Sequence, residues 1–316
     1  MRVLVTRPMT DRARKSIEAR FQAEFRDNSP LDEAAAAQAL RDYDAIIPTL
    51  GDAFDAGAFS GEGLRCRILA NFGAGYNHID VQAARKAGIA VTNTPDVVTE
   101  ATADIALTLI LMTMRRASEG EAMLRAGQWQ GWHPTQLLGA HVSGATVGII
   151  GMGRIGKAIA RRCHLGLGMR VVFHNRSTVS SLDIPARQMP GLDEMLQECD
   201  IAVVAVPGGA GTRHMIGASQ LHALGPHGFL INIARGDVVE EDALIAALTS
   251  GTIAGAGLDV YENEPVVPQA LIKAPNTTLL PHLGTATESA RTAMAQRALE
   301  NLVAFTEGRP PRDLVN

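Results

Sequence analysis

Cysteine is scarce in this chain: Cys66, Cys163 and Cys199 are three in 316 residues, odd in number, widely spaced and without ligand patterns around them. Neither a disulfide framework nor a zinc site fits that distribution, so each thiol is expected to be a small buried or semi-buried side chain and no metal is expected. Basic runs are missing as well, and a formal net charge of −4 argues against a nucleic-acid surface. No apolar run reaches the ~18 residues that a bilayer-spanning helix needs. Met1-Arg2-Val3-Leu4-Val5-Thr6 reads as the start of a strand and not as a signal peptide. A soluble, cytoplasmic protein without membrane or nucleic-acid partners is the expectation. Sequence repeats and low-complexity segments are absent too.

What is present is a 46% hydrophobic content over 316 residues, more than one core usually supports, so two domains are expected. The most telling stretch is Thr146-Val147-Gly148-Ile149-Ile150-Gly151-Met152-Gly153-Arg154-Ile155-Gly156, an apolar strand ending in Gly-x-Gly-x-x-Gly and followed by a helical run, Lys157 to Leu165. Gly151 permits the tight turn, Gly153 lets a pyrophosphate approach the backbone, and Gly156 lets the helix pack on the sheet. A second strand, Met169 to His174, ends about twenty residues on, where a dinucleotide site requires it. NAD sites usually place Asp or Glu at that end, to accept from the ribose hydroxyls and repel a phosphate. Here the residues are Asn175-Arg176-Ser177. Asn175 removes the repulsion, Arg176 offers a planar cation, and Ser177 adds a neutral donor. NADP(H) is therefore the preferred cofactor on this reading, with NAD(H) also usable. The alternative is that Arg176 is an ordinary solvated loop arginine.

Short β-branched runs alternate with helical patterns in both halves. Arg2 to Thr6, Ala45 to Thr49, Ile68 to Asn71 and Ile89 to Asn93 read as strands, with helices such as Asp32 to Arg41 and Val81 to Ala87 between them. A long helical run, Glu100 to Arg116, leads through a less regular Gly/Trp segment, Gly127 to Leu138, into the dinucleotide motif. Strands at Ile201 to Val206, Phe229 to Asn232, Ala254 to Leu258 and Thr277 to Leu280 complete a six-stranded doubly wound sheet. The last helix, Glu288 to Glu307, has no strand after it and belongs most economically to the first domain. A dinucleotide-binding domain, 99–283, would thus be inserted into a substrate-binding domain made of 1–98 and 284–316, with the ligand in the cleft between them.

Ligands of open α/β sheets bind at the carboxyl ends of the strands. Three residues there carry chemistry: Arg235 after Ile231-Asn232-Ile233-Ala234, Glu264 in Glu262-Asn263-Glu264-Pro265, and His282 in Pro281-His282-Leu283-Gly284. An arginine holds a carboxylate bidentately, a histidine exchanges a proton near neutral pH, and a carboxylate beside it favours the imidazolium. Together they form a set for reducing a 2-oxo acid. Singly, each has a plainer reading as a solvated or structural residue.

In that order, Gly151-x-Gly153-x-x-Gly156, Asn232-Ile233-Ala234-Arg235-Gly236-Asp237, Gly257-Leu258-Asp259-Val260 with Glu264-Pro265, and Pro281-His282-Leu283-Gly284 resemble the successive signatures of the D-isomer-specific 2-hydroxyacid dehydrogenases, nearest to glyoxylate/hydroxypyruvate reductases. The resemblance covers nearly the whole chain. It implies an α/β fold with a doubly wound Rossmann cofactor domain inserted into a flavodoxin-like substrate domain, and a homodimer. Arg235 would bind substrate and His282, paired with Glu264, would act as acid/base. Asp259 would lie on the nicotinamide side, unless it is a capping or solvated aspartate. Other expected cofactor contacts are Thr102, Met152, Arg154, Ile155, Val206, Pro207, Thr212, Ile233, Ala234 and Gly284. Phe72-Gly73-Ala74-Gly75 matches the loop whose amides bind the substrate carboxylate, although it could equally be an ordinary turn. Leu50, Phe72 and Trp132 would set the pocket. Trp129-Gln130-Gly131-Trp132-His133-Pro134 resembles the segment that reaches towards a second subunit's active site, where Trp132 either closes the pocket or is buried in the dimer interface. The regulatory extension of long phosphoglycerate dehydrogenases is missing.

The mechanism implied is hydride transfer from nicotinamide to the carbonyl carbon of glyoxylate or hydroxypyruvate, with the proton from His282 and domain closure excluding water. Glutamine would stand in place of Glu264 in a formate dehydrogenase, and lysine in place of Ala74 in a phosphite dehydrogenase; neither matches. A dehydrogenase for a larger acid, such as 2-ketogluconate or phenylpyruvate, and a cofactor-sensing co-regulator remain the alternatives.

Overall fold

The computed structural model describes residues 1–316 and divides into two compact units, one of residues 1–98 and 285–316 and the other of 99–284. In chain order the first unit contains β1 (Arg2–Val5), α1 (Asp11–Glu18), β2 (Gln22–Phe25), α2 (Glu33–Asp42), β3 (Ala45–Ile47), β4 (Ile68–Ala70), α3 (Val81–Lys86) and β5 (Ala90–Thr92). The second runs through α4 (Thr99–Met114), α5 (Ala117–Arg125), β6 (Thr146–Ile150), α6 (Arg154–Leu167), β7 (Arg170–His174), β8 (Arg187–Gln188), α7 (Leu192–Glu198), β9 (Ile201–Val204), α8 (Ala218–Leu224) and β10 (Phe229–Asn232). It continues with a short 3-10 turn (Gly236–Val238), α9 (Glu241–Ser250), β11 (Gly255–Leu258), α10 (Gln269–Ile272) and β12 (Thr277–Leu279), after which α11 (Glu288–Thr306) returns to the first unit.

The first unit is a five-stranded parallel sheet of order β2-β1-β3-β4-β5. Its inner strands are near-continuous apolar runs because helices bury both faces. β3 and β4 are buried at every residue. Helix starts are written in the sequence: Thr10, Asp32, Asp80 and Thr287 each accept a backbone N–H two or three residues on, satisfying donors that a helix leaves unpaired. Two elements here were not expected. β2 is an edge strand of sequence Gln-Ala-Glu-Phe, without the β-branched run that marks a strand. α1 buries only Ala13 and Ile17, too thin a stripe to read.

The second unit holds seven parallel strands of order β12-β11-β10-β9-β6-β7-β8, one more than the six expected. The extra strand, β8, is two residues long and pairs with β7 alone. Successive strand residues alternate between two cores. Ile149, Val203 and Ile231 pack with Leu109 and Ile110 of α4 and Ile159 and Cys163 of α6. Ile150, Val204 and Leu230 pack with Leu196 of α7, Leu221 of α8 and Leu244 of α9. This is a three-layer, doubly wound α/β/α unit. Strand order reverses between β6 and β9, so a ligand crevice is expected beyond their carboxyl ends. No helix is long and apolar enough to cross a membrane, and all three cysteines are buried and free.

Candidate active site

Asn232, the last residue of β10, spans the turn that follows it. Its Oδ1 accepts the Ala234 N–H and its Nδ2 donates to the Arg235 carbonyl, both at 3.0 Å. Arg235 leaves the sheet with extended backbone, and its side chain lies against Gly208, where a Cβ would fall 2.7 Å from its Cγ. Gly236 admits no side chain at all, because a Cβ there would stand 1.8 Å from the Tyr261 carbonyl carbon and 2.3 Å from the Glu262 nitrogen. That close approach presses the segment after β11 against the turn carrying Arg235. On this segment Glu264 Oε1 accepts the Tyr261 N–H at 3.0 Å and Oε2 meets His282 Nδ1 at 2.8 Å.

His282 follows β12 with a φ of 54°, a left-handed conformation that non-glycine residues seldom adopt. Asp259 explains it. The Asp259 carbonyl accepts the His282 N–H at 3.0 Å, while its Oδ1 and Oδ2 accept the N–H groups of Leu283 at 2.6 Å and Gly284 at 2.7 Å. Three bonds from one residue over-determine the loop and hold the imidazole in place. Asp259 is buried, and burial raises its carboxyl above the ordinary value against the Leu283 amide, the His282 charge and the Gly284 amide. Glu264 goes the other way: burial opposes its ionisation, but the hydrogen bond and charge of His282, the Tyr261 amide and Arg235 hold its carboxyl below the ordinary value. An ionised carboxylate only accepts, so Nδ1 carries the proton it donates to Glu264 and Nε2 is left for another partner. Burial lowers the Arg235 guanidinium, opposed by Glu264 and Asp237, yet an arginine stays charged.

The glycine-rich turn lies at the reversal of strand order. Gly151 has a φ of 97°, and a Cβ on it would meet Val206 Cγ1 at 2.8 Å and the Ala205 carbonyl oxygen at 2.9 Å. At Gly156 a Cβ would stand 2.1 Å from the Gly151 carbonyl oxygen, so α6 and β6 touch backbone to backbone. Gly153, which caps α6 with no side chain, faces open space, with no atom within 4 Å of a Cβ position. This leaves room for a phosphate beside the first amides of α6, and the residues present fit a dinucleotide. Asn175 Oδ1 accepts the Met152 N–H at 3.2 Å, and Asn175 Nδ2 donates to the Ser177 carbonyl at 2.9 Å. A cavity of about 390 Å³ opens beside them, lined among others by Met152, Gly153, Asn175 and Ser177.

The remaining expected cofactor residues lie in the segments that follow the parallel strands or on α4 and α6. Arg154 and Ile155 start α6. Thr212 closes the loop after β9 through its hydroxyl on the Pro207 carbonyl at 2.7 Å, Ile233 and Ala234 are buried at the end of β10, and a Cβ on Gly284 would approach Thr102 Oγ1 to 3.6 Å. Arg176 is exposed and does not line the cavity. Both Asp259 oxygens are taken by loop amides, the capping arrangement.

In the first unit the 72–75 loop is anchored from behind. Asn71 Nδ2 donates to the carbonyls of Gly73 and Gly75 at 3.0 Å, and Asn93 Nδ2 donates to that of Ala74 at 2.7 Å. With the carbonyls held, the amides of Ala74 and Gly75 have no acceptor within the chain. The anchor extends to α11 and the C-terminal segment: Asn301 Nδ2 donates to the Asn93 carbonyl at 3.3 Å and to Asp313 Oδ2 at 3.0 Å, and Arg297 Nε meets the same oxygen at 2.6 Å. None of Asn71, Asn93, Asn301 or Asp313 was singled out from the sequence. Leu50 and Phe72 line a cavity of about 380 Å³ with Arg7, Thr10 and Arg291. Trp132 belongs to the second unit and is 79% exposed.

A doubly wound sheet with this glycine-rich turn, and with arginine, glutamate and histidine gathered at its strand ends, defines a dinucleotide-dependent dehydrogenase. The family description "D-isomer specific 2-hydroxyacid dehydrogenase, NAD binding domain" matches residues 107–284. A glyoxylate reductase of Thermococcus onnurineus is 42% identical over 322 aligned residues, covering 100% of this chain and 96% of that protein. Among solved structures, the TT0316 protein of Thermus thermophilus superposes with a TM-score of 0.91 at 40% identity, covering 100% of both chains. An NADPH-dependent glyoxylate/hydroxypyruvate reductase of Sinorhizobium meliloti, solved with NADP and malonate, gives 0.88 at 39% identity, covering 99% of this chain and 96% of that one. The chain belongs to the D-isomer-specific 2-hydroxyacid dehydrogenase family, whose cofactor is a nicotinamide dinucleotide.

Proposed function

We propose that the protein is an NADPH-preferring reductase that converts glyoxylate and hydroxypyruvate to the D-2-hydroxy acid. The observation that carries this reading is the 2.8 Å pairing of His282 Nδ1 with an ionised Glu264 that also senses Arg235. Relatives named for glyoxylate reduction favour these small acids over 2-ketogluconate or phenylpyruvate.

When bound, a reduced nicotinamide supplies the hydride. Arg235 binds the substrate carboxylate through its fork of donors, and in the first unit the free amides of Ala74 and Gly75 make their loop a candidate for substrate binding. His282 Nε2 delivers the proton to the carbonyl oxygen as negative charge grows there, and Glu264 keeps the imidazole oriented through Nδ1. General-acid catalysis of this kind is typically worth ~100- to 10,000-fold. Asp259 acts by holding the His282 loop.

NADPH preference is supported by the end of β7, which carries Asn175 and Ser177 in place of an acid that would repel the extra phosphate. A homodimer is supported by exposed apolar residues on α5 and beyond, with Leu124, Trp129, Trp132 and Leu138 all more than half exposed. In such a dimer Trp132 is covered by the second copy. Buried free thiols suit the reducing cytoplasm.

The test is reduction of glyoxylate, hydroxypyruvate, pyruvate, phenylpyruvate and 2-ketogluconate by the purified protein, each with NADPH and NADH. The highest kcat/KM is expected for glyoxylate or hydroxypyruvate with NADPH. Turnover of none of the five would turn the reading towards a cofactor-sensing protein.

A further inference from the structure

We propose that Lys157 is the main cation for the 2′-phosphate of NADPH, ahead of Arg176; this rests on the NADPH preference proposed above. The cavity beside the glycine-rich turn is lined by Met152, Gly153, Asn175 and the Ser177 to Ser181 segment, together with Lys157 of α6. Lys157 is half-buried, and its Nζ donates to the Ser181 carbonyl at 3.3 Å. That bond holds the ammonium at the cavity and uses one of its three donors, leaving two for an anion.

The rest of the wall is neutral and firmly held. Gln188 Nε2 donates to the carbonyls of Asn175 and Ser177 at 3.3 and 3.0 Å, and its Oε1 accepts the Val179 N–H at 3.0 Å. Asn175 is engaged with Met152 and Ser177. No carboxylate lines the cavity, and the nearby Asp183 faces Arg161 at 3.8 Å. One cation among hydroxyls and amides, with no competing acid, complements a phosphate dianion. Arg176 has the better fork geometry, but it is exposed and outside the lining, where solvent and salt weaken its attraction.

Binding of 2′,5′-ADP and of 5′-ADP, measured by titration calorimetry at low salt, separates the 2′-phosphate from the rest of the nucleotide. Wild-type protein is expected to bind 2′,5′-ADP the more tightly. K157M should reduce that discrimination about tenfold or more, the loss of a charge-assisted hydrogen bond, with 5′-ADP affinity unchanged as the sign of an intact site. R176M should reduce it less than roughly threefold, and K157R should keep most of it. If K157M discriminates as wild type does, or loses 5′-ADP equally, the Lys157 assignment is overturned while the NADPH preference stands. If wild-type protein binds the two alike, the preference itself is wrong and the assignment falls with it.

Discussion

Replacing Gly236 with alanine probes the contact that sets Arg235 beside Glu264. The new Cβ would lie 1.8 Å from the Tyr261 carbonyl carbon, 2.0 Å from its oxygen and 2.3 Å from the Glu262 nitrogen. All three are main-chain atoms, so no rotamer change relieves the clash. Ordinary carbon contacts of about 3.5–4.0 Å require the two segments to part by roughly 2 Å. Glu264 sits on the displaced segment, held by the Tyr261 amide and bonded to His282, so the displacement separates acid/base and anchor. A misplacement of about 1 Å can cost on the order of 100-fold in rate, and overpacking typically costs about 1–3 kcal/mol of stability. G236A should therefore lose about 100-fold in kcat/KM for glyoxylate, followed by the consumption of NADPH, and should melt several degrees lower. G153A is the control: its Cβ meets no atom within 4 Å, so the melting temperature should hold while cofactor affinity falls. A G236A protein with wild-type turnover and melting temperature would refute the reasoning.

The Glu264 carboxyl is held below its ordinary value of 4.5, so its contribution to stability is complete above that pH and is lost as pH falls through the lower folded value. The melting-temperature gap between wild type and E264Q should accordingly narrow as pH is lowered from about 6 to about 3; a constant gap would contradict the pairing. Asn93 donates to the Ala74 carbonyl, so N93A should raise KM for glyoxylate about five- to tenfold, the worth of one hydrogen bond, with NADPH affinity little changed. An unchanged KM would show that the 72–75 loop is only a turn.

The parts of the site that were legible in the sequence are those where backbone geometry dictates residue type. Gly151 and Gly156 cannot carry a Cβ, and both stood out in the motif. Arg235, Glu264 and His282 were readable because each lies in the segment that follows a strand of recognisable composition. Long-range partners were not: Asn301 and Asn93 are 208 residues apart, and no local pattern announces an asparagine that anchors a distant loop. β8 is too short to show a period, and α5 buries no residue in the isolated chain, so it lacks the apolar stripe that marks a helix. Arg176 drew notice for its fork and charge, whereas Lys157 looked like an ordinary helix residue until the fold brought it to the cavity. Asp259 was expected near the nicotinamide; its two oxygens on the Leu283 and Gly284 amides explain why an aspartate stands there without reference to cofactor.

The central claim is that His282 supplies the proton for reduction of a 2-oxo acid. Its most direct test is the single-turnover rate of hydride transfer to hydroxypyruvate in wild-type and H282N protein preloaded with NADPH. A fall of about 100-fold or more, with an unchanged NADPH dissociation constant, is predicted. An H282N protein that transfers hydride at more than about half the wild-type rate would contradict it.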